Sequence, residues 1–349
     1  MWAFAVVFAV AFTLGLLLTP WSGRLGQRLG VVAAPGGRRQ HAGRISRLGG
    51  IGLYLPFVAA VASLELLPAA WVPASLDPKE GTRLLGLLLG STLAFVVGLL
   101  DDRWEFPPLP QHALQVACSF IAIATLIFIE RVMNPFTNTL LVFPWPVVGA
   151  LTVFWVMGMM NTVNFLDGLD GLAGGVAAII CAILTLHMVR EGQLSVALLP
   201  LALLGATLAF LPYNFHPARV FMGSSGAYFL GFALAALGIM AGARMATMLL
   251  MLLVPILDVA WVMAERWRAG GRTGQADRRH LHYRLLDLGL STRQVVSLYY
   301  ALCGSFGLVA LLVSSRLFKL GALAVLGLGA LALLWWVSRR GGDGSAAEE

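Results

Sequence analysis

The stretch "MMNTVNFLDGLDGLAGG", Met159 to Gly175, sets Asn161, Asn164, Asp167 and Asp170 at every third position between two long apolar runs. Side chains three apart lie about one turn from each other on a helix. A second acidic pair, Asp101 and Asp102, closes another apolar run in "LLDDRWEF". Ionised carboxylates crowded at a membrane boundary repel one another unless a cation intervenes. Oxygen donors with no cysteine nearby select a hard ion, above all Mg2+, with Mn2+ as a substitute. Mg2+ keeps few protein ligands and bridges to phosphate, and arginine side chains suit phosphate oxygens as well. These residue types point to phosphoryl chemistry between a water-soluble phosphorylated donor and a lipid phosphate.

Each motif also has a plainer reading. An acidic pair can be a solvated helix end, although ionisable groups at membrane depth are functional candidates by default. Gly171 and Gly175 stand at GxxxG spacing, which serves helix packing. His280 and His282 in "RRHLHYR" could open a zinc site, but no third ligand accompanies them. Beside Arg278, Arg279 and Arg284 they read better as a phosphate or nucleotide site. Ser291 and Gln294 form a capping box, and His187 is an interfacial residue.

The elements that must hold these residues are membrane helices. Of 349 residues, 59% are hydrophobic and 12% charged, and mean hydropathy is +0.83. A soluble domain carries about 25% charged residues. A spanning helix needs about 20 apolar residues. Eleven stretches qualify: 1–19, 49–70, 84–100, 112–129, 140–160, 171–189, 195–213, 226–242, 245–264, 295–314 and 319–337. The fold class expected is therefore an all-α polytopic membrane protein with one integral membrane domain, 1–340, and a disordered tail, 341–349. Met1 to Leu18 lacks the basic start and small-residue cleavage site of a secretory signal and counts as the first span. Cys118, Cys181 and Cys303 lie in apolar runs without paired spacing and read as small buried hydrophobes.

Charge gives the orientation. The loop after the first span holds Arg24, Arg28, Arg38, Arg39, Arg44 and Arg47 and no acid. The loop after the ninth holds Arg266, Arg268, Arg272, Arg278, Arg279, Arg284 and Arg293, and the tail adds Arg339 and Arg340. Eleven spans put all three on one side, which the positive-inside rule makes the cytoplasm, with the N-terminus outside. The net charge of +7 is thus a matter of topology, and no nucleic acid partner is expected. The clusters after the third, fifth and seventh spans fall on the same face. A transporter is the rival class, but it would place ionisable groups near the midplane on broken helices of repeated halves. Charges gathered at one interface favour an enzyme.

The segments "HAGRISRLGGIG", "LLDDRWEF", "NTVNFLDGLDGLAGG", "YNFHPARVFMGSSGAYFLGF", "PILD" and "ADRRHLHYRLLDLGLS" follow in order along nearly the whole chain. They resemble the polyprenyl-phosphate N-acetylhexosamine-1-phosphate transferases, whose wider family includes phospho-N-acetylmuramoyl-pentapeptide transferase. The resemblance implies transfer of N-acetylglucosamine-1-phosphate from a UDP-sugar to undecaprenyl phosphate, with release of UMP. That would be the first membrane step of a cell-envelope polysaccharide, on the cytoplasmic face of a bacterial inner membrane. It implies Mg2+ as cofactor and a homodimer.

Carried over by motif, Asp101 and Asp102 are base or acceptor-positioning residues, and Asp167 joins them as a catalytic candidate. Asn164, Asp167 and Asp170 line the nucleotide and metal site, with Asn214 beside them. Arg279, His280 and His282 hold sugar or phosphate, and Arg38, Arg39 and His41 contribute from the first loop. The chain departs from the family at several points. The pattern "FMGDTGS" reads "FMGSSGA", so Ser224 stands in the metal-ligand aspartate's place. Gln111 replaces a lysine, Ala33 an aspartate, and Tyr283 the second histidine of "HLHH". A hydroxyl is a poorer Mg2+ ligand than a carboxylate. The alternatives are a weakened or inactive paralogue, or recruitment of another aspartate.

Overall fold

The computed structural model describes residues 2–33, 43–134, 136–242, 245–268, 280–313 and 315–342. They form thirteen α-helices and two short hairpins, and the chain divides into two compact units, Met1–Met245 and Ala246–Glu349. The first unit runs α1 (Trp2–Leu29), β1 (Val32–Ala33), β2 (Ile45–Ser46), α2 (Ile51–Ala62), α3 (Glu80–Trp104) and α4 (Pro108–Ala124). It continues through β3 (Arg131–Met133), β4 (Leu140–Val142), α5 (Trp145–Leu166), α6 (Leu172–Arg190), α7 (Leu194–Asn214) and α8 (Gly223–Met240). Both hairpins are antiparallel, pairing Val32 with Ser46 and Arg131 with Val142.

Nine helices among the described residues are long and apolar enough to cross a membrane. Seven are in the first unit: α1, the α2 stretch with its flanking turns, α3, α5, α6, α7 and α8. The expectation of eleven differs at two places. The stretch 112–129 becomes α4, whose 17 residues end at Ala124 where Leu126 turns left-handed with φ 63°. At ~1.5 Å per residue that helix is about 25 Å long, short of the ~30 Å hydrocarbon core. The stretch 245–264 is broken into α9 (Met245–Met251) and α10 (Leu253–Arg268). Pro255 has no amide to bond back to the Met251 carbonyl, so the ladder is interrupted there.

The first unit is built around α8, which is buried along nearly its whole length. Small residues allow this. A Cβ on Gly98 of α3 would fall 2.7 Å from the Ser225 amide nitrogen, and one on Gly231 would fall 2.6 Å from the Met160 Cα of α5. Backbones can approach so closely only where one partner has no side chain. Several polar groups inside are paired across helices. Trp155 Nε1 donates to the Ala235 carbonyl at 3.1 Å, and Gln115 and Asn161 exchange hydrogen bonds at 2.9 and 3.0 Å. Asn161 therefore ties α4 to α5. The three cysteines are free and buried.

The second unit contains the rest of α9, α10, α11 (Leu281–Asp287), α12 (Thr292–Leu312) and α13 (Arg316–Gly342). The capping box opens α12 as its sequence predicts, with the Ser291 amide donating to Gln294 Oε1 at 2.9 Å.

Candidate functional site

Asp101 and Asp102 occupy the last turn of α3, with 4% and 3% of their surface exposed. Adjacent helix positions point about 100° apart, so the two carboxylates do different work. Asp102 faces the start of α8. Its Oδ1 accepts the Ser224 amide at 2.7 Å, and its Oδ2 accepts the Ser225 amide at 3.0 Å and the Ser225 hydroxyl at 2.7 Å. The first amides of a helix have no partners within it. Here a carboxylate from a distant helix supplies them and also meets the positive end of the α8 dipole. Gly223 makes the approach feasible, since its φ is +71° and a Cβ there would sit 2.6 Å from both Asp102 oxygens.

Arg47, contributed from just after β2, places Nε 3.7 Å from Asp102 Oδ1 and gives Nη1 to Glu105 Oε1 at 2.5 Å. Asp101 turns the other way. Its Oδ1 accepts the Phe106 amide at 2.8 Å and Gln111 Nε2 at 3.3 Å. Gln111 also donates to the Phe106 carbonyl at 2.9 Å. The lysine expected at 111 would bring a charge; the glutamine brings a neutral clasp.

The asparagine and aspartate motif ends α5 and bends into α6. Asn164 and Asp167 are half-buried at the end of α5, and the Asp167 amide closes the helix on the Val163 carbonyl at 3.1 Å. Asp170 Oδ2 accepts the Ala218 amide at 3.0 Å and pairs with His216 Nδ1 at 2.9 Å. Gly171, at φ +82°, gives its amide to Asn214 Oδ1 at 3.1 Å, and Asn214 Nδ2 reaches the Val220 carbonyl at 3.0 Å.

One segment, 214–225, links these pieces. Asn214, His216 and Ala218 hold the start of α6; the Phe221 amide donates to Ser46, and the Phe221 and Met222 carbonyls accept the Gly49 and Gly50 amides. Ser224 and Ser225 then bind Asp102. The structure thus brings Asp101, Asp102, Asp170, Asn214 and Ser224 onto one connected backbone framework in the first unit. His280 and His282 lie in the second unit, buried, with their rings stacked at 5.6 Å. Arg38, Arg39, His41 and Arg279 lie outside the described residues.

Comparison with known proteins now bears on this framework. Residues 84–242 match the family model described as glycosyl transferase family 4. Over 361 aligned residues the chain is 32% identical to the decaprenyl-phosphate N-acetylglucosaminephosphotransferase of Mycobacterium tuberculosis, covering 91% of this chain and 85% of that one. The chain belongs to the polyprenyl-phosphate N-acetylhexosamine-1-phosphate transferases. It is also similar, at 28% identity over 89% of its length and 85% of the relative's, to a probable undecaprenyl-phosphate N-acetylglucosaminyl 1-phosphate transferase of Bacillus subtilis. The phospho-N-acetylmuramoyl-pentapeptide-transferase of Geobacillus kaustophilus is 29% identical, with 86% and 93% covered. The chain is accordingly a phosphoglycosyl transferase of the membrane.

Several residues of the transferase site were not singled out from sequence. Ser225 and Arg47 complete the shell of Asp102, and His216 that of Asp170. His216 and Ser225 lie in "YNFHPARVFMGSSGAYFLGF" and Arg47 in "HAGRISRLGGIG", but nothing local showed which acid each would meet. The donor set can be weighed against Mg2+. Among the described residues no three Asp, Glu, His or Cys side chains converge on a point, and both oxygens of Asp102 are taken by amides. The other carboxylates of the motif are Asp167, half-buried at the end of α5, and Asp170, whose Oδ2 already holds Ala218 and His216. One or two carboxylates completed by substrate phosphate and water is the usual Mg2+ arrangement, so the residues present fit that ion.

Proposed function

We propose that the transferase moves N-acetylglucosamine-1-phosphate, or a related N-acetylhexosamine-1-phosphate, from a UDP-sugar to undecaprenyl phosphate. The observation that carries this reading is segment 214–225, which anchors Asp102 at one end and Asp170 at the other. A donor-binding acid and one acid of the acceptor-side pair are thereby fixed by one piece of backbone. A phosphate oxygen of the lipid forms a bond to the sugar-proximal phosphorus of the donor. The bond from that phosphorus to the bridging oxygen breaks, and UMP departs. Enzymes of phosphoryl transfer act mainly by positioning and electrostatics.

Asp101, held through one oxygen by Phe106 and Gln111, receives the acceptor's proton or positions its phosphate. Asp102 keeps α8 and Ser224 in place. Asn164, Asp170 and Asn214 hold the nucleotide end. Arg38, Arg39, His41, Arg279, His280 and His282 bind sugar and phosphate oxygens. Mg2+ would be held by Asp167 and Asp170 with Ser224 as a weak third donor, and would offset the pyrophosphate charge. The site works on the cytoplasmic face of a bacterial inner membrane, in a cell-envelope pathway, with the N-terminus outside.

The test is UMP release by purified protein with undecaprenyl phosphate and either UDP-N-acetylglucosamine or UDP-N-acetylgalactosamine, with Mg2+ varied. Metal-dependent UMP release matched by lipid-linked sugar supports the reading. Absence of both products with every donor sinks it.

A further inference from the structure

A phosphate that approaches Asp101 and Asp102 meets two carboxylates, and like charges repel unless a cation stands by. Gln111 ties α4 to Asp101 without bringing a charge. Arg47 brings one from the loop after β2. The backbone that carries it is pinned. Its amide donates to the Val31 carbonyl at 3.1 Å, and the Gly49 and Gly50 amides donate to the Phe221 and Met222 carbonyls at 3.0 and 2.9 Å. Its side chain is 13% exposed. Nη1 is held by Glu105, whereas Nε stands 3.7 Å from Asp102 Oδ1, beyond hydrogen-bond reach. Nη2 has no partner among the described residues and is not sealed from solvent. Asp101 Oδ2 likewise accepts nothing among the described residues.

Tyr228 completes the arrangement. It follows Ser224 by one turn on α8, and helical side chains lean toward the N-terminus, so its phenol is directed at the Ser224 side chain. Asp101, Asp102 and Arg47 all act on that phenol electrostatically. Two acids, a cation and a phenol therefore converge where α3 ends and α8 begins. We propose that Arg47 and Tyr228 contact the acceptor, Nη2 and the phenol donating to the phosphate of the polyprenyl lipid while Asp101 Oδ2 faces the same group. Arginine supplies charge with directed N–H groups, and the phenol supplies an O–H. A purely structural role explains Arg47 less well. Asp102 already accepts three bonds from α8, and the Glu105 side chain is 75% exposed, where an ion pair contributes little. The inference rests on reading Asp101 and Asp102 as the acceptor side.

Wild-type protein in detergent, treated with phenylglyoxal and read at Arg47 by mass spectrometry, tests this without turnover. Undecaprenyl phosphate should slow modification of Arg47, and undecaprenol and UDP-N-acetylglucosamine should not. In UMP release, Arg47→Gln should raise KM for undecaprenyl phosphate about 10–100-fold, the scale of one hydrogen bond to a charged group. Arg47→Lys should recover part of that loss, and Tyr228→Phe should raise the same KM about 3–10-fold. KM for the UDP-sugar should stay at the wild-type value in all three. An Arg47 that is unmodified in the free protein overturns the proposal, as does shielding by the UDP-sugar or the alcohol, or none by the lipid phosphate; these outcomes decide it even if a variant fails to fold. Variants that raise both KM values together, or neither, also overturn it. Shielding by the lipid phosphate in a protein that releases no UMP would instead refute the reaction and leave the acceptor contact standing.

Discussion

Asp102→Ala removes one carboxylate and strands the Ser224 amide, the Ser225 amide and the Ser225 hydroxyl, while Arg47 keeps only Glu105. All three donors sit where Asp102 is 3% and Ser225 0% exposed, so water replaces the lost acceptor poorly. A hydrogen bond to a charged group contributes about 1.5–3 kcal/mol, and loss of a helix N-cap alone costs about 0.5–2 kcal/mol. With relaxation around the small cavity, the expected destabilisation is about 3–5 kcal/mol, a shift of about 150-fold or more in the folding equilibrium. Asp101→Ala should cost only about 1 kcal/mol, because Gln111 still holds the Phe106 carbonyl. Unfolding of both variants by denaturant titration in one detergent, alongside UMP release, makes the comparison. Both should be inactive, but only Asp102→Ala should unfold early. An Asp102→Ala protein as stable as wild type, or less affected than Asp101→Ala, would refute the division of labour between the two neighbours.

Gly223→Ala should be destabilised by about 2 kcal/mol or more and nearly inactive, because φ +71° is costly for alanine and its Cβ would press on Asp102 and the Arg47 carbonyl; a Tm and UMP rate equal to wild type would contradict the geometry. Ser224→Asp should lower the Mg2+ concentration giving half-maximal UMP release, and full wild-type activity at low Mg2+ with no gain in the variant would show the serine to be sufficient. Asn substitutions at Asp101 and Asp167 should cut the UMP rate about 10²–10³-fold in folded protein; a loss under tenfold would remove them from the reaction. Single cysteines at Arg44 and Gly271 should react with a membrane-impermeant reagent only from the cytoplasmic side, and those at Glu80 and Gly192 only from outside; reversed labelling at either pair would undo the single-face site.

Apolar length made most of the spanning helices legible, and the two that differ show its limit. Hydropathy does not register that Leu126 ends α4 or that Pro255 breaks the ladder between α9 and α10. The motif acids were visible because carboxylates are rare among apolar residues. Their roles were not, because periodicity reports neighbours on one element, whereas Asp102 meets Ser224 and Ser225 over 122 and 123 residues of chain. Adjacent aspartates look alike in a sequence and separate only when helix rotation sends one to α8 and the other to Gln111. His216 and Asp258 stood in the quoted motifs, but their partners stayed hidden for the same reason, since each meets a residue brought by another element.

Four glycines, four alanines and two serines occupy ten of the eighteen positions of α8, the helix wrapped by α3 and α5. Such a segment offers little apolar area to hydrocarbon and would partition weakly if it had to enter a bilayer alone. Both of its main neighbours are synthesised before it. α3 and α5 therefore leave the ribosome before α8, and their small-residue faces offer it protein rather than lipid to pack against. Assembly and catalysis then draw on one feature: the same close backbone contacts that receive α8 seat Ser224 beside the acidic pair.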